Sequence, residues 1–163
     1  MSHQPERIRD VVIVGSGAAG GAAAAHLARS GHDVVLIERD AQPRIKPCGG
    51  GMAASVQQWF PFSLEPAVEQ VIRRVDFSWC LEDPVVAELP GEAPFWIVRR
   101  ERLDQLLADQ AAQAGAERRV GIAVTDVVRN GKHWSVNAAN GEHWQARSVV
   151  IADGSNSPWP QRL

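Results

Sequence analysis

Three glycines in the string Gly15-Ser16-Gly17-Ala18-Ala19-Gly20 have the types and spacing to bind an anion through backbone alone. Each serves a separate physical need, namely a tight turn, close approach of backbone to a pyrophosphate, and close packing of a helix on a strand. A helix that opens at such a turn adds unpaired N–H groups and the positive end of its dipole, so two phosphates can be held without a lysine. Glu38 follows at roughly the ~20-residue distance where a carboxylate accepts hydrogen bonds from ribose hydroxyls. Farther on, Cys48 precedes Gly49-Gly50-Gly51. Three successive glycines cost conformational entropy and pack poorly, which predicts that something lies against their backbone; a flexible loop is the alternative.

The elements that must position these residues are legible around them. Residues 11–14 are an uninterrupted apolar, β-branched run, the composition of a buried parallel strand. Ala24 and Leu27 are expected on the sheet-facing side of the helix, which Gly31 ends. Residues 34–37 form the next strand, closed by Glu38. The charge-free stretch 11–25 also admits a secretory signal or membrane span, but Asp10 abuts it and four of its residues are glycines, so the nucleotide reading is preferred. The loop after Glu38 leaves the carboxyl end of the sheet, the cofactor side in such domains, which makes the ribityl or ring part of a flavin the expected neighbour of the triglycine.

After the triglycine, a helix is expected over 53–59, then a break at 61–66 with Phe60 and Phe62 covering a core edge. Residues 71–81 alternate as one strand ended by Pro84; 85–89 and 95–98 read as further strands, with Pro90-Gly91 turning between them. Trp79, Phe95 and Trp96 are read as core aromatics, with an apolar substrate channel as the alternative. A helix spans 99–114 and ends at Gly115. Residues 118–128, 134–138 and 143–146 form an antiparallel meander turned by Asn130-Gly131 and Asn140-Gly141, and 148–152 return as a short apolar strand. The repeated pairs His133-Trp134 and His143-Trp144 suggest cross-strand neighbours rather than metal ligands, so no metal site is expected.

Composition bounds the class. The 163 residues suit one domain, with 45% hydrophobic and 22% charged residues. A net charge of −2 leaves no footprint for nucleic acid, and two cysteines in different contexts suggest neither a disulfide framework nor a zinc site. Residues 1–9 read as a polar leader, and the expected location is cytoplasmic or membrane-peripheral with no transmembrane segment.

The run Lys46-Pro47-Cys48-Gly49-Gly50-Gly51, placed soon after the nucleotide unit, resembles the geranylgeranyl reductase family of flavoproteins, related to the aromatic hydroxylases. Two later elements match the same group: Arg100, Leu103, Asp104 and Leu107 fit its R-x-x-L-D-x-x-L pattern, and Asp153-Gly154 with Ser157 resembles its D-G-x-x-S element. The resemblance implies a Rossmann-like, three-layer α/β domain with a parallel sheet, an antiparallel β-meander and the start of a second sheet. It implies FAD as cofactor, NAD(P)H as an electron donor, and a small apolar or prenylated substrate. Gly15, Ser16, Gly17, Ala18, Ala19, Gly20, Glu38 and Arg39 are then the ADP contacts. Cys48, Gly49 and Gly50 face the flavin ring, Cys48 being the one catalytic candidate. Arg100 lies near the pyrophosphate or ribityl chain, and Asp153 and Gly154 approach the cofactor from the last strand.

The resemblance also implies domain limits: residues 1–70 and 99–163 for the FAD domain, 71–98 for a β-rich segment beginning a substrate-side sheet, and a carboxy-terminal half of the family that this chain lacks. The family's arginine-bearing helix after the serine is replaced by Pro158-Trp159-Pro160, with Arg162 displaced. Three functions remain open: an FAD-dependent oxidoreductase, a noncatalytic dinucleotide module or fragment that acts with a partner or by self-association, and a flavin monooxygenase. Gly17→Val is expected to abolish cofactor binding while leaving a soluble fold, measured as retained flavin absorbance per folded protein.

Overall fold

A computed structural model describes residues 7–92 and 94–162. The chain divides into two units, 1–44 with 107–163, and 45–106. Of the polar leader read over 1–9, residues 1–6 lie outside the described part, and Ile8 already belongs to a strand.

The first unit is built on β1 (Ile8–Val14), α1 (Ala18–Arg29) and β2 (Val34–Glu38). Its sheet runs β8-β2-β1-β11-β10-β9, where β8 is Glu117–Val120, β9 Val124–Asn130, β10 His133–Ala138 and β11 His143–Ile151. β8, β2, β1 and β11 pair in parallel, and β9 and β10 antiparallel. Because strand side chains alternate, Val12, Val14, Val35 and Ile37 face one way and pack with Val127, Val136, Trp144 and Trp159 in the core. Helix α1 contacts β1 and β2, and its buried residues are all small: Gly20, Gly21, Ala24, Ala25 and Ala28. Leu27, expected on that face, is half-buried. The helix ends as read, in a Schellman arrangement: Gly31 has φ +86°, its N–H donates to Ala28 O at 2.9 Å, and His32 N–H donates to Leu27 O at 3.1 Å.

The second unit holds an antiparallel sheet ordered β3-β7-β4 and a separate ribbon β5-β6. Here β3 is Gly51–Ala53, β4 Val68–Ile72, β5 Arg74–Trp79, β6 Glu82–Glu88 and β7 Phe95–Val98. Leu64, Ala67, Trp96 and Val98 are buried. Helix α2 (Arg100–Gln113) follows; Leu103, Leu107, Ala108 and Ala111 form its buried stripe.

Several sequence expectations are corrected. The helix read over 53–59 is a short strand followed by a 3-10 turn, Ala54–Trp59, because Met52 pairs with Trp96 and Ala53 with Phe95 and no side chain caps the segment. The strand read over 71–81 is two strands broken at Arg73, since β4 pairs with β7 and β5 with β6. Pro84 lies inside β6, which is tolerated because a two-stranded ribbon has outer edges that need no N–H. The start of the supposed meander, β8, is a parallel partner of β2. The stretches 143–146 and 148–152 are largely one strand: β11 pairs antiparallel with β10 through His143 to Ala146 and parallel with β1 through Ile151. The His-Trp pairs do not face each other; Trp134 opposes Ala146 and His143 opposes Asn137. Trp96 is buried and Phe95 half-buried, but Trp79 is 79% exposed on the ribbon, beside exposed Phe77 and Val85. No helix among the described residues is long and apolar enough to cross a membrane.

Close approach decides two of the turn glycines. A Cβ on Gly20 would lie 1.8 Å from Gly15 O, and one on Gly15, at φ +98°, 2.4 Å from Ala152 O. Gly20→Ala is therefore expected to destabilise the chain by about 3 kcal/mol, the upper end of ordinary overpacking. Gly31→Ala, with nothing within 4 Å of its Cβ, should cost only the left-handed backbone penalty of about 1 kcal/mol. Denaturant melts of the two variants check this order.

Candidate functional site

In the first unit, the glycine turn lies between the carboxyl ends of three parallel strands. Gly15 N–H donates to Ile37 O at 2.8 Å, and Ala152 N–H donates to Val14 O at 2.8 Å. This knits the ends of β2, β1 and β11 around the turn. Gly17 is the N-cap of α1, with φ −78° and ψ −171°, no side-chain cap and no acidic residue in the first helical turn. Its extended backbone is open to any residue. Unlike Gly15, whose φ is +98°, Gly17 is not required to be glycine by its own conformation.

Glu38 is only 5% exposed. Its Oε2 accepts the Ser16 N–H at 2.8 Å, its Oε1 accepts the Asp40 N–H at 3.0 Å, and Arg44 Nε lies 3.6 Å from Oε2. A buried carboxylate is costly unless its oxygens are paired, and here two backbone amides and a guanidinium do this. A carboxylate has about four acceptor positions, so these contacts leave capacity for hydroxyl donors. Arg39 is exposed, pairs with Asp40 at 3.3 Å and is attracted by Asp153. Asp153 and Gly154 are exposed, Gly154 at φ +105°. An open cavity of about 440 Å³ involving Val120, Gly121, Ile122 and Arg119 lies in this unit, and Ile122 N–H donates to the Glu38 carbonyl at 2.9 Å. After Asp153-Gly154, the Pro-Trp-Pro segment makes a 3-10 turn, Trp159–Gln161, that buries Trp159 and places the Arg162 guanidinium 5.8 Å from its ring.

In the second unit, Cys48, Gly50 and Arg100 come together. Gly50 has φ +72°, a Cβ there would lie 2.1 Å from Val98 O, and its N–H donates to Cys48 Sγ at 3.4 Å. Gly51 abuts the Phe95 ring, whereas a Cβ on Gly49 would meet nothing within 4 Å. The chain itself thus accounts for two of the three glycines and leaves Gly49 with an open side. Arg100 is paired with buried Asp104 through two hydrogen bonds, at 3.0 and 3.1 Å. Cys48 is exposed; the Gly50 N–H, and after it the Arg100 guanidinium, hold its thiol below the usual range for cysteine.

The expected residues thus fall into two groups: Gly15 to Gly20, Glu38, Arg39, Asp153 and Gly154 in the first unit, and Cys48, Gly49, Gly50 and Arg100 in the second. Sequence reasoning missed Gln42, Arg44 and Arg118. Gln42 donates to Ser16 O and Oγ and accepts from Arg118, 76 positions away. Nothing in local spacing signals such a contact. Among the described residues, no group of three or more His, Cys, Asp or Glu side chains is placed to hold a metal ion.

A glycine turn opening an uncapped helix, with an acid ending the neighbouring parallel strand and a meander over the other face, defines a Rossmann-like α/β dinucleotide-binding fold. Residues 9–162 match the model of the pyridine nucleotide-disulphide oxidoreductases, and the chain belongs to that FAD-binding oxidoreductase family. It is 34% identical over 159 residues to a probable electron transfer flavoprotein-quinone oxidoreductase, YdiS, of Escherichia coli K12, covering 91% of this chain and 37% of the relative. It is 35% identical over 169 residues to protein FixC of Escherichia coli O157:H7, covering 97% of this chain and 39% of the relative. The chain therefore spans under two-fifths of the length of these curated relatives. Among solved structures, a geranylgeranyl bacteriochlorophyll reductase-like protein from Thermoplasma acidophilum shares the fold at TM-score 0.76 and 23% identity, covering 91% of this chain and 40% of that one. The halogenase PltM, solved with phloroglucinol and FAD, does so at TM-score 0.77 and 22% identity, covering 94% and 36%.

The thiol environment gives a pH-dependent test. The folded-state pKa of Cys48 is depressed, so any stability linked to the thiolate is present above the unfolded pKa and is lost as pH falls through the folded one. Alkylation of Cys48 by iodoacetamide should reach half its plateau rate at a pH below that of the unfolded chain. Arg100→Gln should move that midpoint upward; an unmoved midpoint removes Arg100 as a cause.

Proposed function

We propose that this chain is the FAD-holding part of a flavin-dependent oxidoreductase. The observation that carries the reading is the pairing of buried Glu38 with the glycine turn at the mouth of uncapped α1. Two positions fit a group lying against bare backbone: Gly17, whose dihedrals do not demand glycine, and Gly49, whose Cβ would meet nothing. In the first unit, the turn from Gly15 to Gly20 and the first amides of α1 hold the pyrophosphate. Glu38 accepts from the adenosine ribose, the cavity beside Val120 and Gly121 has room for the base, and Arg39, Asp153 and Gly154 form the rim. For the second unit taken by itself, the flavoprotein resemblance assigns ring-side and ribityl contacts to Cys48, Gly49, Gly50 and Arg100, with Asp104 fixing the direction of Arg100.

When bound, FAD supplies hydride-transfer chemistry, with NAD(P)H as a donor. Cys48, held toward the thiolate, can keep or release a proton beside that site. The substrate class we infer is an apolar isoprenoid. The Lys46 to Gly51 run resembles the polyprenyl reductases, and a relative at 34% identity is named as a probable electron transfer flavoprotein-quinone oxidoreductase. Polyprenyl double-bond reduction is the reading favoured by the Cys-Gly-Gly-Gly motif. Self-association and a membrane-peripheral location would both suit such a substrate. A noncatalytic nucleotide module is the second reading: the residues that support the assignment are binding groups, and Cys48 is the one catalytic candidate among them.

The test is the visible absorption spectrum of the purified chain before and after addition of FAD and desalting. A retained flavin band is expected, followed by bleaching with NAD(P)H and reoxidation by prenyl alkenes or quinones if the oxidoreductase reading holds. A colourless chain that cannot be reconstituted overturns FAD binding by this chain. A retained flavin that no donor reduces favours the noncatalytic module.

A further inference from the structure

Ser16 stands between the first two glycines of the turn and is fully buried. Its backbone and side-chain polar groups are engaged by the last residue of β2 and by the segment that follows it. Its N–H donates to Glu38 Oε2 at 2.8 Å, and the Gln42 Nε2 amide donates to both its carbonyl oxygen and its Oγ, each at 3.2 Å. The other end of the Gln42 amide, Oε1, accepts from Arg118 Nη2, and Arg118 Nη1 bonds Asp109 Oδ1 of α2 at 2.8 Å. One side-chain amide therefore joins the glycine turn to β8 and, through Arg118, to α2.

We propose that Gln42 is a positioning residue that aims the Gly17 amide at the dinucleotide phosphates. The inference rests on the nucleotide-binding reading of the turn and deepens it. Ser16 C=O and Gly17 N–H belong to one peptide unit, which is planar and trans, so the two groups point in opposite directions. Holding the Ser16 carbonyl on Gln42 turns the Gly17 N–H away from Gln42, at the N-terminus of α1. Glu38 grips the preceding peptide through the Ser16 N–H, but by itself leaves the Ser16–Gly17 unit to rotate about Ser16 ψ and Gly17 φ, the second of these at a residue of high conformational freedom. Gln42 removes that freedom before ligand arrives. Ordering otherwise opposes binding, so a turn held in advance binds more tightly.

The experiment compares the wild-type chain with Gln42→Ala and Gln42→Glu by fluorescence titration with FAD and by amide hydrogen exchange without it. Gln42→Glu keeps an acceptor for Arg118 but has no N–H for the Ser16 carbonyl, so both variants should bind FAD about tenfold more weakly, the scale of one lost hydrogen bond. Exchange at Ser16 and Gly17 should accelerate in both, with β1 and β2 unchanged. Wild-type affinity in Gln42→Glu overturns the proposal, as does unchanged exchange at Ser16 and Gly17. Equal acceleration throughout β1 and β2 also overturns it, because Gln42 is then only a general stabiliser. Should the wild-type chain take no FAD, the cofactor reading falls, and the exchange comparison still decides whether Gln42 holds the turn.

Discussion

A hydrogen bond from the Ser16 amide to the buried Glu38 carboxylate ties the end of one parallel strand to the turn that leaves the next. It carries the connection one residue past the last backbone bond between them, Gly15 N–H to Ile37 O. A carboxylate buried this deeply would be expensive alone, and so would the buried Ser16 N–H without an acceptor; each removes the other's cost. Asp40 N–H and Arg44 complete the carboxylate's surroundings. The acid that sequence assigns to a ribose is thus also a structural member of the turn. A ligand hydroxyl would join a carboxylate already held in place.

Small residues let the layers close around that point. Gly20 brings α1 against the Gly15 carbonyl, Gly21 brings it to within 2.9 Å, measured from its Cβ position, of the Leu107 Cβ, and Gly15 lies under the end of β11 at Ala152. The alanines of α1 then contact the sheet without side chains long enough to hold it away. On the other face, Trp144 and Trp159 fill the space over Val12, Val14, Val35 and Ile37. The turn therefore lies at the end of a sheet covered on both sides, which limits its motion without any contact to a ligand.

In the second unit, glycine is used differently. Gly50 and Gly51 are glycines because Val98 and Phe95 approach them, and Gly50 turns its amide onto the Cys48 sulfur. Arg100 is committed to Asp104, a pairing at helical i,i+4 spacing that fixes its direction. The ribbon β5-β6 is the contrasting element: Phe77 and Val85 oppose each other on one face and both remain exposed. Its alternating pattern reads as a half-buried strand, yet alternation reports only that one face is apolar, not that this unit covers it.

By itself, the sequence determined what local periodicity and backbone chemistry can specify. It specified the strand-turn-helix-strand order from Val11 to Glu38, the end of α1 at Gly31, both Asn-Gly hairpins and the existence of α2, since each follows from residues within a few positions of one another. The glycine spacing marked the turn into α1 for the same reason. Only the tertiary structure decided which strands paired. It made β8 a parallel partner of β2, merged the meander's last strand with the final parallel strand, and replaced a helix after Gly51 by a strand that answers β7. Strand partners are distant in sequence, and a segment's composition leaves its choice of partner open. The tertiary structure also decided which glycines serve the chain and which leave a face open. It gave Gln42 and Arg118 their place around Ser16, because a clamp between residues 26 and 76 positions apart has no periodicity to betray it.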